Sequence, residues 1–81
     1  MARLNRTKRR RMIAQAALRI AQGAGGLESV THDAVASACP VDTSASTVRH
    51  YFKAIIDLQI ECVTLDPSLH SVAVSLGVIE P

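Results

Sequence analysis

Apolar residues recur along the chain at three- and four-residue spacings, interrupted by short polar or glycine-rich stretches, and this pattern predicts helices throughout. The first runs from about Thr7 to Gln22, with Ile13, Ala16, Ala17, Ile20 and Ala21 on one stripe. Gly23, Ala24, Gly25 and Gly26 end it, because glycine accepts the left-handed backbone that closes a helix. The second helix starts at Thr31 as cap, with Asp33 in its electropositive first turn and Val30 stapled to Val35. It stops near Ala38 or Cys39, since Pro40 cannot continue it.

Val41, Asp42 and Thr43 form the turn to a third short helix, capped by Ser44 or by Asp42. With Ser46 as the origin of a helical wheel, Arg49, His50 and Lys53 fall beside it within roughly 100°, while Val48 and Phe52 point the opposite way. One face therefore offers hydrogen-bond donors and positive charge, and the other is core. The fourth segment, Ala54 to Leu65, is apolar on most sides: Ile55, Ile56, Leu58, Ile60, Cys62, Val63 and Leu65. A helix of that kind is central or meets a second chain. Asp66 and Pro67 then cap and open a fifth, amphipathic helix of about three turns, with Leu69, Val72, Ala73 and Leu76 on its apolar side and Gly77 as its stop.

The fold class expected is all-α: a small bundle of four to five helices containing a helix-turn-helix. At 81 residues the chain makes one domain. A chain of this size buries only about 60% of its unfolded surface and has little stability to spare. Tyr51 and Phe52 are its two aromatic residues. The core must therefore come from Ala, Ile, Leu and Val, which suits close-packed helices better than a sandwich or barrel. No segment approaches the roughly 20 apolar residues of a membrane span, and no signal peptide is visible. The reading is a soluble, cytoplasmic protein with no membrane partner.

Charge sharpens the picture. Arg3, Arg6, Lys8, Arg9, Arg10, Arg11 and Arg19 all precede Gly23, and no acid precedes Glu28, so residues 1–27 carry +7. From residue 28 onward Arg49 and Lys53 face seven acids, leaving −5. Such segregation suggests a polyanionic partner for the basic end. Lys8 to Arg11 also sit where a helix dipole disfavours cations, by about 0.3–1 kcal/mol each, a conflict that phosphates would remove. Cys39 and Cys62 fit no metal spacing, and His32, His50 and His70 form no ligand pair. No metal, cofactor or catalytic set of nucleophile, base and orienting group is expected, hence no enzyme.

Two short helices joined by a turn, the second with a basic and polar face, follow the logic of a helix-turn-helix, whose second helix enters the major groove. The residues Ile13, Ala16, Ala17, Ile20, Gly26, Val30, Thr31, Val35 and Ala36, the run Thr47-Val48-Arg49-His50-Tyr51-Phe52-Lys53, and Asp57-Leu58 together resemble the DNA-binding domain of TetR-type transcriptional regulators. The resemblance spans residues 8–60. It implies a phosphate contact for Thr31 and entry of Ser46, Thr47, Arg49 and His50 into the major groove, with Thr47 and Arg49 the first choices for base contact and Ser44 also among the DNA-binding residues. Tyr51 and Lys53 would hold the backbone beside the groove. Arg3, Arg6, Lys8, Arg9 and Arg10 would act on the DNA as the basic arms of some family members do. The chain departs from the family in having Pro40 in a longer turn, and in the short segment after Leu65, where relatives carry an inducer-binding domain. No small-molecule inducer is therefore expected.

These readings divide the chain into a basic arm (1–7), a TetR-like DNA-binding domain (8–65) and a C-terminal helix (66–81). The function they favour is a minimal, inducer-free regulator bound to double-stranded DNA in the nucleoid, of phage or mobile-element type. The alternatives are an architectural, packaging or recombination protein, and a protein-docking module derived from a helix-turn-helix. Surplus apolar surface at Ile55, Ile56, Ile60, Val63, Leu69, Val72 and Leu76 predicts a homodimer, which would space two recognition helices about 34–36 Å apart.

Overall fold

A computed structural model describes residues 5–81. It contains helices α1 (Arg6–Ala21), α2 (His32–Ala38), α3 (Ala45–Tyr51), α4 (Ile55–Leu65) and α5 (His70–Ser75), with 3-10 turns at Leu27–Ser29 and Pro67–Leu69. The described residues include no strand, so the all-α class holds. None of these helices is long and apolar enough to cross a membrane.

Local chemistry sets the boundaries. The Thr31 hydroxyl accepts the Ala34 N–H at 3.1 Å, and Val30 and Val35 on either side of it are both buried, as a stapled helix start requires. Ser44, not Asp42, caps α3, accepting the Thr47 N–H at 3.1 Å. Ala54 has no side-chain acceptor to offer α4. The cap there is one-sided: Asp57 Oδ2 accepts the Ala54 N–H at 3.3 Å. Gly77, at φ +77°, closes α5 with Val78 N–H on Ala73 O at 2.9 Å and Gly77 N–H on Val74 O at 3.1 Å. That paired pattern is a Schellman ending, which favours glycine at the left-handed position.

Several expectations are corrected. The helix begins at Arg6, so Arg6 and Thr7 are helical and do not belong to an arm. Asn5 makes this start workable, its side-chain oxygen accepting the Lys8 N–H at 2.8 Å. The end of α1 at Gln22 stays right-handed; Gly26, at φ +68°, is the glycine with left-handed φ, and it turns the chain into Leu27–Ser29. Gly25 is constrained differently, because a Cβ there would lie 2.9 Å from the Ser29 Cβ. The expected three-turn C-terminal helix is divided into a 3-10 turn and the six-residue α5. Asp66 tightens that entry by accepting both the N–H and the hydroxyl of Ser68. Those bonds, with one from Gln22, hold the Asp66 carboxyl below the usual aspartate range.

α1 lies at the centre, packing on both α2 and α4, while α3 packs on α2 and α5 on α4. Ala14, Ala16, Ala17 and Ala21 are buried on α1, and their small side chains let both neighbours approach closely. Ile13, Leu27, Val30, Val35, Val48, Phe52, Leu58, Cys62 and Ala73 complete one core that includes α5, so residues 66–81 are not a separate unit. Val63, expected at a dimer surface, is only 8% exposed and belongs to this core. Burial pushes the Cys62 thiol up to about 11, with the Glu61 charge acting in the same direction.

Phe52 supplies the largest side chain of the core and is the aromatic residue among its buried members. Phe52→Ala is expected to cost about 3–5 kcal/mol, enough to unfold much of so small a domain, while Phe52→Leu should cost distinctly less. Urea denaturation followed by circular dichroism checks this; equal midpoints for Phe52→Ala and wild type would contradict it.

Candidate nucleic-acid interface

The unit formed by α2, the turn and α3 is tied together at both ends. At one end His32 Nε2 lies 2.9 Å from the Phe52 carbonyl oxygen, so the ring donates from Nε2 and joins the start of α2 to the end of α3. At the other, Arg19 of α1 donates to the Ala38 carbonyl at 3.2 Å and closes the C-terminus of α2. Within the turn the Thr43 hydroxyl donates to Val41 O at 2.8 Å. The Cys39 thiol is raised by burial, against lowering influences from Thr43, Arg19 and Arg9, so it stays protonated at neutral pH.

On α3 the expected polarity is clear. Val48 is buried, whereas Ser46, Arg49 and His50 are exposed and make no side-chain hydrogen bond with the described residues. Arg49 and His50 occupy the last turn, where the helix dipole favours positive charge. The His50 ring meets Tyr51 edge-on at 5.4 Å, and Tyr51 is half-buried against the core. Thr47 is half-buried too, with its hydroxyl 3.1 Å from that of Ser44, so these two side chains chiefly shape the start of the helix. Thr31 is exposed with its hydroxyl used as a cap.

Lys53 does not share the helical face predicted for it. α3 stops at Tyr51, because Phe52 takes an extended backbone (φ −133°, ψ 90°) that sends its ring into the core; Lys53 follows in the exposed bend to α4. The basic residues of α1 also divide. Arg6 and Lys8 are exposed and Arg9 is half-buried, while Arg3 lies outside the described residues. Arg10 is engaged within the protein: its guanidinium carbon sits 4.6 Å from the centroid of the Phe52 ring, and Nη2 lies 3.4 Å from Glu61 Oε1. A cation held over an aromatic face and beside a carboxylate serves the fold first. Arg10 therefore joins α1 to the α3–α4 corner and is not the free phosphate contact expected.

Sequence reasoning missed Asn5 and His32. Asn5 carried a usable signal, since asparagine before a helical run is a good cap. His32 had none, because its partner is a main-chain carbonyl far along the sequence. Among the described residues no group of three or more His, Cys, Asp or Glu side chains is placed to hold a metal ion. No protein-family model, curated protein or solved structure matches the chain.

The contrast between Arg10 and Arg49 is measurable without any ligand. With its side chain 49% exposed, Arg10 is partly screened, and Arg10→Ala should cost about 0.5–1.5 kcal/mol of stability. Arg49→Ala should stay within about 0.5 kcal/mol of wild type. Thermal melts of the two variants decide, and a larger loss for Arg49→Ala would contradict the division of roles.

Proposed function

We propose that the chain is a sequence-specific transcriptional regulator that binds double-stranded DNA through a TetR-like helix-turn-helix formed by α2 and α3. One observation carries this reading: α3 is fixed from behind by Val48 and Phe52, yet Ser46, Arg49 and His50 are exposed and make no side-chain hydrogen bond with the described residues. The cation-rich start of α1 supports it, since exposed Arg6 and Lys8 suit phosphates rather than an apolar partner. Arg49 and His50 would read base edges, and Thr31, Tyr51 and Lys53 would hold the backbone. With Arg10 engaged elsewhere, about four to six phosphate contacts remain, each contributing about −0.9 to the log–log slope of affinity against salt.

Measured duplex binding should show that slope. Arg49→Ala should relax discrimination by about 1–3 kcal/mol at one or two base pairs, whereas Lys53→Ala should weaken all sequences alike and lower the slope by about one. A slope near zero would reject DNA binding and favour the docking-module reading.

We also propose a homodimer. Of the apolar residues expected at its interface, Ile56, Ile60, Val72 and Leu76 are the exposed ones; Ile55 and Leu69 are half-buried within the monomer. Because residues 54–81 contain acids and no Lys or Arg, a two-fold contact through them sets like charges near one another. Self-association should therefore strengthen as salt rises, opposite to DNA binding. Sedimentation at low and high salt tests this, and a monomer under both conditions would reject the dimer.

A further inference from the structure

Between the first turns of α1 and the end of α4 lies an open cleft of about 370 Å3. Ala14, which is buried, and Leu65, which is 46% exposed, give it an apolar lining. Arg6, Arg10 and Arg11 line it as well, and Glu61 is the one acid among its lining residues. The excess is two positive charges. Glu61 is paired with Arg10 at 3.4 Å, so the excess charge belongs to Arg6 and Arg11. No carboxylate of the described residues lies in salt-bridge range of Arg6 or Arg11.

We infer that this cleft binds a small organic dianion, a phosphate monoester with an apolar body. The phosphoryl oxygens lie on the guanidiniums of Arg6 and Arg11, whose planar forks match them, while Arg10 stays over the Phe52 ring beside Glu61 as part of the cleft wall. The apolar body lies on Ala14 and Leu65. Size agrees, since the volume falls at the small end of the roughly 300–1,000 Å3 of ligand sites. Charge agrees too, because a dianion balances the excess and also relieves the conflict between the α1 cations and their own helix dipole. The Leu65 surface distinguishes such a ligand from a bare phosphate, which leaves it in water. The expectation of no inducer rested on the shortness of the segment after Leu65; this cleft owes nothing to that segment. Nor does it depend on DNA binding, and it is tested on the free full-length protein.

Phenyl phosphate, inorganic phosphate and phenol serve as calorimetric probes, with amide chemical shifts locating the site. Phenyl phosphate should bind about tenfold more tightly than inorganic phosphate, the ring being the difference, and phenol should not bind measurably. Glu61→Gln removes the one carboxylate lining the cleft, and with it the repulsion of an anion, and should tighten phenyl phosphate by about two- to fivefold. Leu65→Ser, at an exposed helix end, should abolish the preference for phenyl phosphate while leaving inorganic phosphate unchanged. Equal binding of the two anions by the wild type, shifts away from α1 and α4, or a preference that survives Leu65→Ser would each overturn the inference. Weaker binding by a folded Glu61→Gln would overturn it as well, and if that variant fails to fold, Leu65→Ser decides alone.

Discussion

Phe52 is the residue on which the placement of α3 depends most, with Val48 buried beside it. Its extended backbone ends α3 and starts the bend to α4, and its N–H still closes the last turn on Val48 O at 2.8 Å. Its carbonyl takes the His32 ring from the start of α2, and its ring lies in the core beneath Arg10 of α1. Helices α1, α2 and α3 and the α4 corner are thus tied to one residue. A chain with two aromatic residues has few ways to anchor a seven-residue helix. Such a helix is far too short to persist alone. Its geometry is a tertiary property, held by the buried Val48 and Phe52 side chains and by polar contacts at its ends.

The same constraint explains why the charge at the start of the chain is not a single positive strip. α1 packs on both α2 and α4, and successive arginines at about 100° per residue face different neighbours. Arg9 and Arg19 act electrostatically on Cys39 beside the turn, while Arg10 reaches Glu61 on α4. Arg19 and Arg10 are spent on closing α2 and on bracing the α3–α4 corner. What is left facing solvent is a smaller and more divided set than the +7 of residues 1–27 suggests.

Helices whose ends are set by local chemistry were legible from residue types. Thr31 with Val30 and Val35, Ser44, Pro40 and Gly77 all mark real boundaries, because a cap, a staple or a positive φ depends on neighbours a few residues away. The buried side of α3 was legible for the same reason: Val48 and Phe52 are its large apolar residues. The misplacements share a different cause. A helical wheel places Lys53 on a helix that Phe52 ends, the residue type alone leaves Arg10 free, and periodicity gives Val63 to a surface. In each case the deciding contact is long-range, and helical periodicity carries no information about it. Periodicity identified α4 as apolar nearly all round, but only the packing of α1 and α5 determines that Leu58, Cys62 and Val63 turn inward and Ile56 and Ile60 outward.

That division of α4 also limits what each end of the molecule can meet. Beyond Lys53 the chain has Asp57, Glu61, Asp66 and Glu80 and no Lys or Arg, and Ile56, Ile60, Val72 and Leu76 stand exposed among them. Such a surface is repelled by a polyanion, since each carboxylate brought near a phosphate raises the energy of the contact. It is stabilised by burial, at about 25 cal/mol per Å2 of apolar area removed from water. The start of α1 and the outward face of α3 have the opposite character, with cations and few apolar groups free. An anionic partner and an apolar partner are therefore directed to different faces by charge alone. The two-fold contact proposed through Ile56, Ile60, Val72 and Leu76 uses none of the α3 residues proposed to meet DNA, so neither proposal draws on the other's side chains.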